Sequence, residues 1–187
     1  MINIEMLKPY RSKASDYEET NRLKSYFSDL RKDRSPFYLT RDDFDKILKW
    51  KLRGQYGRQF EKRKDNTDEA IKSVTELGLN ICHNDKNYEL ELRLKILTAL
   101  HGVEIPVASA ILALVYPEEY AVIDRLNWCV LYDENRTSFT VNQYKQYLSD
   151  IKSLAEKLNW YPQEVDLAIW AYAEEMGLLK IKKYCGK

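Results

Sequence analysis

The chain has 187 residues, 44% of them hydrophobic and 32% charged, enough for one domain or two small lobes around a substantial core. It has no run of 18 apolar residues, and its start, MINIEMLKPYRSK, lacks the apolar centre of a signal peptide, so no membrane contact and a cytoplasmic location are expected. Three scattered cysteines (Cys82, Cys129, Cys185) and two histidines (His83, His101) provide no metal-ligand spacing; no metal site and no iron–sulfur cluster are expected, and the odd cysteine count suits a reducing compartment.

The first predicted element is a polar amphipathic helix over residues 15–32, ending before Ser35-Pro36 because a residue preceding proline is pushed out of the helical region. Thr40 reads as an N-cap with Asp43 three residues on, opening a helix whose stripe is Phe44, Ile47, Leu48 and Leu52 and which stops at Gly54. Asn66 or Thr67 opens the next, with Ala70, Ile71, Val74 and Leu77 inward and Gly78 at its end. Residues 87–100 repeat Leu90, Leu94, Ile96 and Leu97 at helical spacing until Gly102. Pro106 then opens a helix of small and apolar residues, Ala108-Ser109-Ala110-Ile111-Leu112-Ala113-Leu114-Val115. A short helix over 125–132, a polar loop (DENRTS), a helix over 141–158 and a last one opened by Pro162 complete the chain. That last helix carries Val165, Ile169, Tyr172, Ala173 and Met176 on one face and closes at Gly177. No alternating strand pattern and no repeat is present, so the expected class is all-α. Trp50, Trp128, Trp160 and Trp170 read as core or interface aromatics.

Charge is segregated. Residues 49–64 hold Lys49, Lys51, Arg53, Arg58, Lys62, Arg63 and Lys64 against one acid, Glu61, for +6, and residues 178–187 hold Lys180, Lys182, Lys183 and Lys187 for +4. The remainder is net acidic, the pattern of a protein with one side turned to a polyanion, or of solvated helix faces with a loose basic tail. Lys51, Arg53, Arg58, Lys62 and Arg63 are the candidates to face such a polyanion.

The junction His101-Gly102-Val103-Glu104-Ile105-Pro106 is a tight helix–helix corner in which glycine permits the reversal and the following helix offers unpaired N–H groups and its positive dipole end, suited to a phosphate. Farther on, Asp124 stands behind Tyr120-Ala121-Val122-Ile123 and immediately before a helix start. An aspartate there caps the helix; a cap also fixes the carboxylate in direction, which a catalyst for a cation-like transition state requires. Tyr116, Tyr120 and Trp128 flank this region and are candidate pocket residues.

LHGVEIPVASAIL followed by AVID resembles the signature of the helix-hairpin-helix DNA glycosylases, the endonuclease III and alkylpurine glycosylase superfamily, over residues 97–128. Gly102 and Asp124 are 22 positions apart, a separation that matches the endonuclease III branch. The resemblance implies two α-helical lobes, expected here as residues 20–118 and residues 1–19 with 119–187, with a cleft between them. It further implies double-stranded DNA with a damaged or mispaired base as partner, a hairpin gripping phosphate, Asp124 stabilising an oxocarbenium-like sugar, and a monomer needing no cofactor beyond a possible monovalent cation at the hairpin. The backbone-cutting branch carries a lysine where this chain has Pro106, which has no amine, so monofunctional base removal is implied. Glu104 occupies the place of the hairpin's second glycine. Two other readings stay open: a glycosylase-like protein that binds DNA without cutting it, and a helical protein-interaction module in which Asp124 is only a cap.

Overall fold

The computed structural model describes residues 4–178, all of whose regular structure is helical. The longer helices are α2 (Tyr17–Asp33), α3 (Arg41–Leu52), α4 (Asp68–Asn80), α5 (Lys86–Leu97), α6 (Ile105–Val115), α7 (Arg125–Tyr132), α8 (Val141–Leu158) and α9 (Pro162–Glu175), after a single N-terminal turn, α1 (Ile4–Leu7). The tail lysines Lys180, Lys182, Lys183 and Lys187, and Cys185, lie outside the described residues. No described helix is long and apolar enough to cross a membrane.

The pivot of the fold is α6. Ten of its eleven residues are buried, so it has no solvent face and must be surrounded. It packs against α2, α3 and α5, and Ala108, Ala110 and Ala113, all with zero exposure, leave room for that close approach. A larger side chain at any of the three would overpack the core, at a cost of about 1–3 kcal/mol. The main hydrophobic cluster runs from Leu7 to Ile169 and takes in residues of both expected lobes. A smaller cluster of Ala14, Leu126, Leu167, Trp170, Ala171 and Ala173 joins α7 and α9 to the segment before α2.

Local chemistry sets most helix starts. Thr40 and Asp43 form a reciprocal capping box, Thr67 accepts from Ala70 N, Asp85 from Asn87 N and Tyr88 N, and Thr140 pairs with Gln143. Two expectations fail on α4. Gly78 does not end it; the helix runs to Asn80, with Gly78 packed inside so that an added Cβ would lie 3.2 Å from Leu97. Leu77 is 59% exposed, the inward positions being Ile71, Thr75, Gly78 and Leu79. The reason is distant in sequence: the Arg93 guanidinium, on α5, donates to the carbonyls of Leu79 (2.6 Å), Ile81 (2.8 Å) and Gly78 (3.3 Å), satisfying the groups a glycine cap would otherwise serve. On α9, Val165, Ile169 and Ala173 are buried as the periodicity predicts, whereas Met176, beyond the helix end, is 56% exposed.

Candidate active site

The corner between α5 and α6 is pinned from outside. Gly102 takes φ of +75°, the left-handed region in which a side chain is strained, and an added Cβ would sit 3.3 Å from Arg63 Cβ and 3.5 Å from Lys62 Cβ. Asn66 donates to His101 O and accepts from His101 N, both at 2.9 Å, and Leu100 O accepts from Val103 N. The basic segment after α3 is therefore clasped to the hairpin. Glu104 is the backbone N-cap of α6 but makes no side-chain cap, and it is exposed, as is His101; Val103 and Ile105 are buried, and Pro106 is the second residue of the helix.

Asp124 is reached by a buried, non-helical approach. Its amides and carbonyls are satisfied by side chains: Ser109 Oγ accepts from Ile123 N (3.1 Å), Asp166 accepts from Val122 N, and the hydroxyls of Tyr144 and Tyr147 donate to Ala121 O and Val122 O, both at 2.8 Å. Asn127, 1% exposed, adds donors to Val122 O and Asp166 O. Buried loop groups held by side chains in this way make a rigid mount. Asp124 then caps α7: its Oδ1 accepts from Leu126 N and Asn127 N, both at 2.9 Å. Its other oxygen, Oδ2, faces Lys51 Nζ at 3.7 Å. The cap occupies one oxygen and leaves the second to face the Lys51 ammonium.

Two neighbouring cavities share the wall made by Lys51, Leu52, Gln55 and Asp124. The first, of about 370 Å³, is the groove in front of the hairpin: Gly102, Glu104, Pro106, Val107, Lys62 and Arg125 line it together with Asp124. The second, of about 330 Å³, runs inward between Trp50 and Trp170, with Asp16, Arg53, Asn127 and Asp166 on its sides. Arg53 donates to Asp16 Oδ2 at 2.6 Å and lies 4.0 Å over the Trp170 ring. Its own backbone has φ of +47°, a conformation that costs a non-glycine residue about 1–3 kcal/mol and is held here by those two contacts. Asp16 Oδ1 and Asn127 Oδ1 are buried with no hydrogen-bond partner.

Electrostatics follow from burial. Desolvation pushes the Asp166 carboxyl well above the usual carboxylate range, its bond from Val122 N opposing this. Desolvation likewise lowers the Lys51 ammonium from the ordinary lysine value, with the carboxylates of Asp124 and Asp166 pulling it back up. Lys51 and Asp124 thus meet in the shared wall, with the Asp166 carboxyl beside them on the second cavity alone.

The candidate DNA-facing residues part company. Lys62 and Arg58 are exposed, one on each cavity. Lys51 faces Asp124 rather than solvent, and Arg53 is locked to Asp16 and Trp170. Arg63 is 7% exposed, donating to Tyr56 O at 2.6 Å with its guanidinium 4.1 Å from the Tyr56 ring, so it braces the turn instead of presenting charge. Of the pocket candidates, none lines either cavity at Asp124. Tyr116 is held between Arg31 and Arg93 and donates to Leu79 O; Tyr120 is 4% exposed and lines a separate cavity with residues of α5 and α8; Trp128 packs against Phe139. The aromatic walls come instead from Trp50 and Trp170. The sequence marks both only as core or interface aromatics, and nothing local to either points to a cavity wall. Among the described residues no group of three or more His, Cys, Asp or Glu side chains is placed to hold a metal ion. Comparison of the chain with protein-family models, curated proteins and solved structures finds no match.

Proposed function

We propose that the hairpin groove binds double-stranded DNA and that Asp124 promotes hydrolysis of the N-glycosidic bond of a damaged or modified base extruded into the inner cavity. The observation that carries this reading is the shared wall: the hairpin residues Gly102, Glu104 and Pro106 and the carboxylate of Asp124 line one groove, and Asp124 also lines the deeper aromatic cavity. A strand held at the hairpin would bring a sugar against Asp124 Oδ2, with the base between Trp50 and Trp170. An aromatic lining of this kind suits a flipped base. A fixed anion beside a developing oxocarbenium charge contributes on the order of 3 kcal/mol. Pro106 offers no amine, so the hairpin itself supplies no covalent nucleophile and water completes base removal.

Glu104, exposed in the groove, favours a second reading in which the protein binds altered DNA without cutting it, since its carboxylate weakens phosphate contact there. Incubating the purified protein with duplexes carrying a panel of altered bases separates the two. Alkali-labile sites that disappear in Asp124→Asn, with binding retained, support excision. Salt-sensitive binding with no product from any duplex supports the binder, and neither binding nor product leaves a helical interaction module.

A further inference from the structure

A third cavity, of about 620 Å³, lies between the start of α5, the loop after α6 and one face of α8, and shares no lining residue with the two cavities at Asp124. On α8 its lining residues Lys145, Leu148, Ser149, Lys152, Ser153 and Glu156 recur at three- and four-residue spacing, so they form one stripe. Leu148 and, from α5, Leu90 are buried beneath it, and the serines leave the space above them unfilled. Three tyrosines are buried among the described residues, and two of them, Tyr144 and Tyr147, donate to backbone carbonyls at 2.8 Å. Tyr120, 4% exposed, makes no hydrogen bond among the described residues. Its hydroxyl is not sealed from solvent either, so it opens on the cavity that Tyr120 lines. Burial pushes the phenol up, which keeps it protonated and a donor. The charges of the lining are also incompletely matched. Lys86 is paired with Glu89 and Lys145 with Glu91, but among the described residues Lys152, Glu119 and Glu156 form no ion pair. Lys152 and Glu156 stand at i and i+4, a spacing at which such side chains readily meet, yet stay apart; Lys152 Nζ lies 5.9 Å from the centre of the Tyr120 ring.

We infer that this cavity binds a free α-amino acid with an apolar side chain: its carboxylate on Lys152 and the Tyr120 hydroxyl, its ammonium on Glu156 and Glu119, its side chain over Leu90 and Leu148. Each part of the ligand answers an unmet group of the lining. An unpaired ammonium beside a hydroxyl donor suits a carboxylate, two unpaired carboxylates suit an ammonium, and the leucine floor suits an apolar body. A purely anionic ligand would be repelled by Glu119 and Glu156, and a purely cationic one by Lys152. A residue inside a peptide carries neither charge, so the free amino acid is favoured over a chain segment. The volume lies within the range of roughly 300–1,000 Å³ usual for small-molecule sites. This site does not depend on DNA reaching the hairpin groove.

The test titrates the full chain with leucine, phenylalanine and tryptophan, following heat and the backbone amide shifts of the labelled protein. Glycine, N-acetylphenylalanine and phenylalaninamide remove in turn the apolar side chain, the ammonium and the carboxylate. The expected result is saturable binding of at least one apolar amino acid that moves the amides of residues 149–156 and leaves those of residues 101–107 in place. Glycine and both capped derivatives should bind about ten-fold more weakly or worse, the scale of one lost charged hydrogen bond. Tyr120→Phe, which keeps the ring, should weaken binding by a similar factor. Lys152→Gln and Glu156→Gln should do so as well, and both positions are exposed, so these variants fold even if Tyr120→Phe does not. No shift at residues 149–156 with any of the three at millimolar concentration, capped derivatives that bind as well as phenylalanine, or affinity unchanged in Lys152→Gln and Glu156→Gln overturns the inference. Base release from lesion duplexes is measured separately, so the excision reading stands or falls on its own result.

Discussion

Asn66 and His101 exchange two hydrogen bonds of 2.9 Å, the Asn66 amide group replacing a strand partner for the backbone of the hairpin. Asn66 is 3% exposed, so this is a buried clasp between the end of the basic segment and the corner that precedes α6. Asn66→Ala removes both bonds and leaves two backbone groups of His101 unpaired, which should cost about 2 kcal/mol. The urea midpoint should fall accordingly, and amide exchange should quicken at residues 101–103 ahead of the α6 core. Unchanged exchange there would mean that the corner holds its shape without the clasp.

Gly102 has a different reason to be irreplaceable. With φ at +75° and the Arg63 Cβ 3.3 Å from where a methyl would be, Gly102→Ala meets both backbone strain and a tight approach. The expected loss is about 1–2 kcal/mol from the backbone conformation alone. Gly54 and Gly57, which meet nothing within 4 Å, serve as controls: alanine at either should leave the thermal midpoint nearly unmoved.

The two oxygens of Asp124 allow its structural and chemical roles to be told apart. Asparagine caps helices about as well as aspartate, so Asp124→Asn should keep stability within a few tenths of a kcal/mol, whereas Asp124→Ala loses the bonds to Leu126 N and Asn127 N and about 1 kcal/mol. If Asp124 carries the chemistry, base release should fall on the order of 10²-fold or more in both. Activity that tracks stability, intact in the asparagine variant, would reduce Asp124 to a cap.

What the sequence made legible is what local chemistry decides. The caps at Thr40 and Asp124, the prolines in the first turns of α6 and α9 and the small, apolar make-up of α6 each depend on residues within one or two turns. The bounds of α7 and α8 follow for the same reason. Gly78 and Leu77 misled because the carbonyls at the end of α4 are served by Arg93, which no window around Gly78 contains. The inner cavity was illegible for the same physical reason on a larger scale. Asp16, Trp50, Asp166 and Trp170 come from two helices and a loop, and only packing of α9 against α7 and of α3 against α6 brings them together. Tyr116 and Tyr120 are near Asp124 in the chain, but Tyr116 turns to the Leu79 carbonyl and Tyr120 to a cavity between α5 and α8.

Glu89 supplies a pH dependence unrelated to the site. Burial alone would raise its carboxyl, but bonds from Lys86, the His83 N–H and Arg93 outweigh it and hold the value at about 2 against an ordinary 4.5. The folded-state value is the lower one, so the stabilisation is complete above pH 4.5, and it is lost as acid protonates the group between 4.5 and about 2. Acid titration of the urea midpoint should show a fall across that window which Glu89→Gln lacks. The variant should also be less stable at neutral pH by about 2 kcal/mol, because the Arg93 cation that holds the end of α4 loses its buried counter-charge.

Arg63 and Lys62 are adjacent in sequence yet should fail in opposite ways. Lys62 is exposed on the hairpin groove, so if DNA lies there its ammonium neutralises a phosphate, and Lys62→Ala should flatten the plot of log affinity against log salt by about 0.9 for each phosphate no longer neutralised. Arg58→Ala should act in the same way from the inner cavity's mouth. Arg63 is buried on Tyr56, with its bond to the Tyr56 carbonyl closing the turn behind the hairpin. Arg63→Ala should therefore cost about 2 kcal/mol of stability through removal of a charged hydrogen bond, with the salt slope unchanged for the fraction that stays folded. Anisotropy titrations at several salt concentrations, paired with denaturation of each variant, measure both quantities. A slope that moves with Arg63 and not with Lys62 would place the bound strand on the other side of the turn and remove the hairpin groove from consideration.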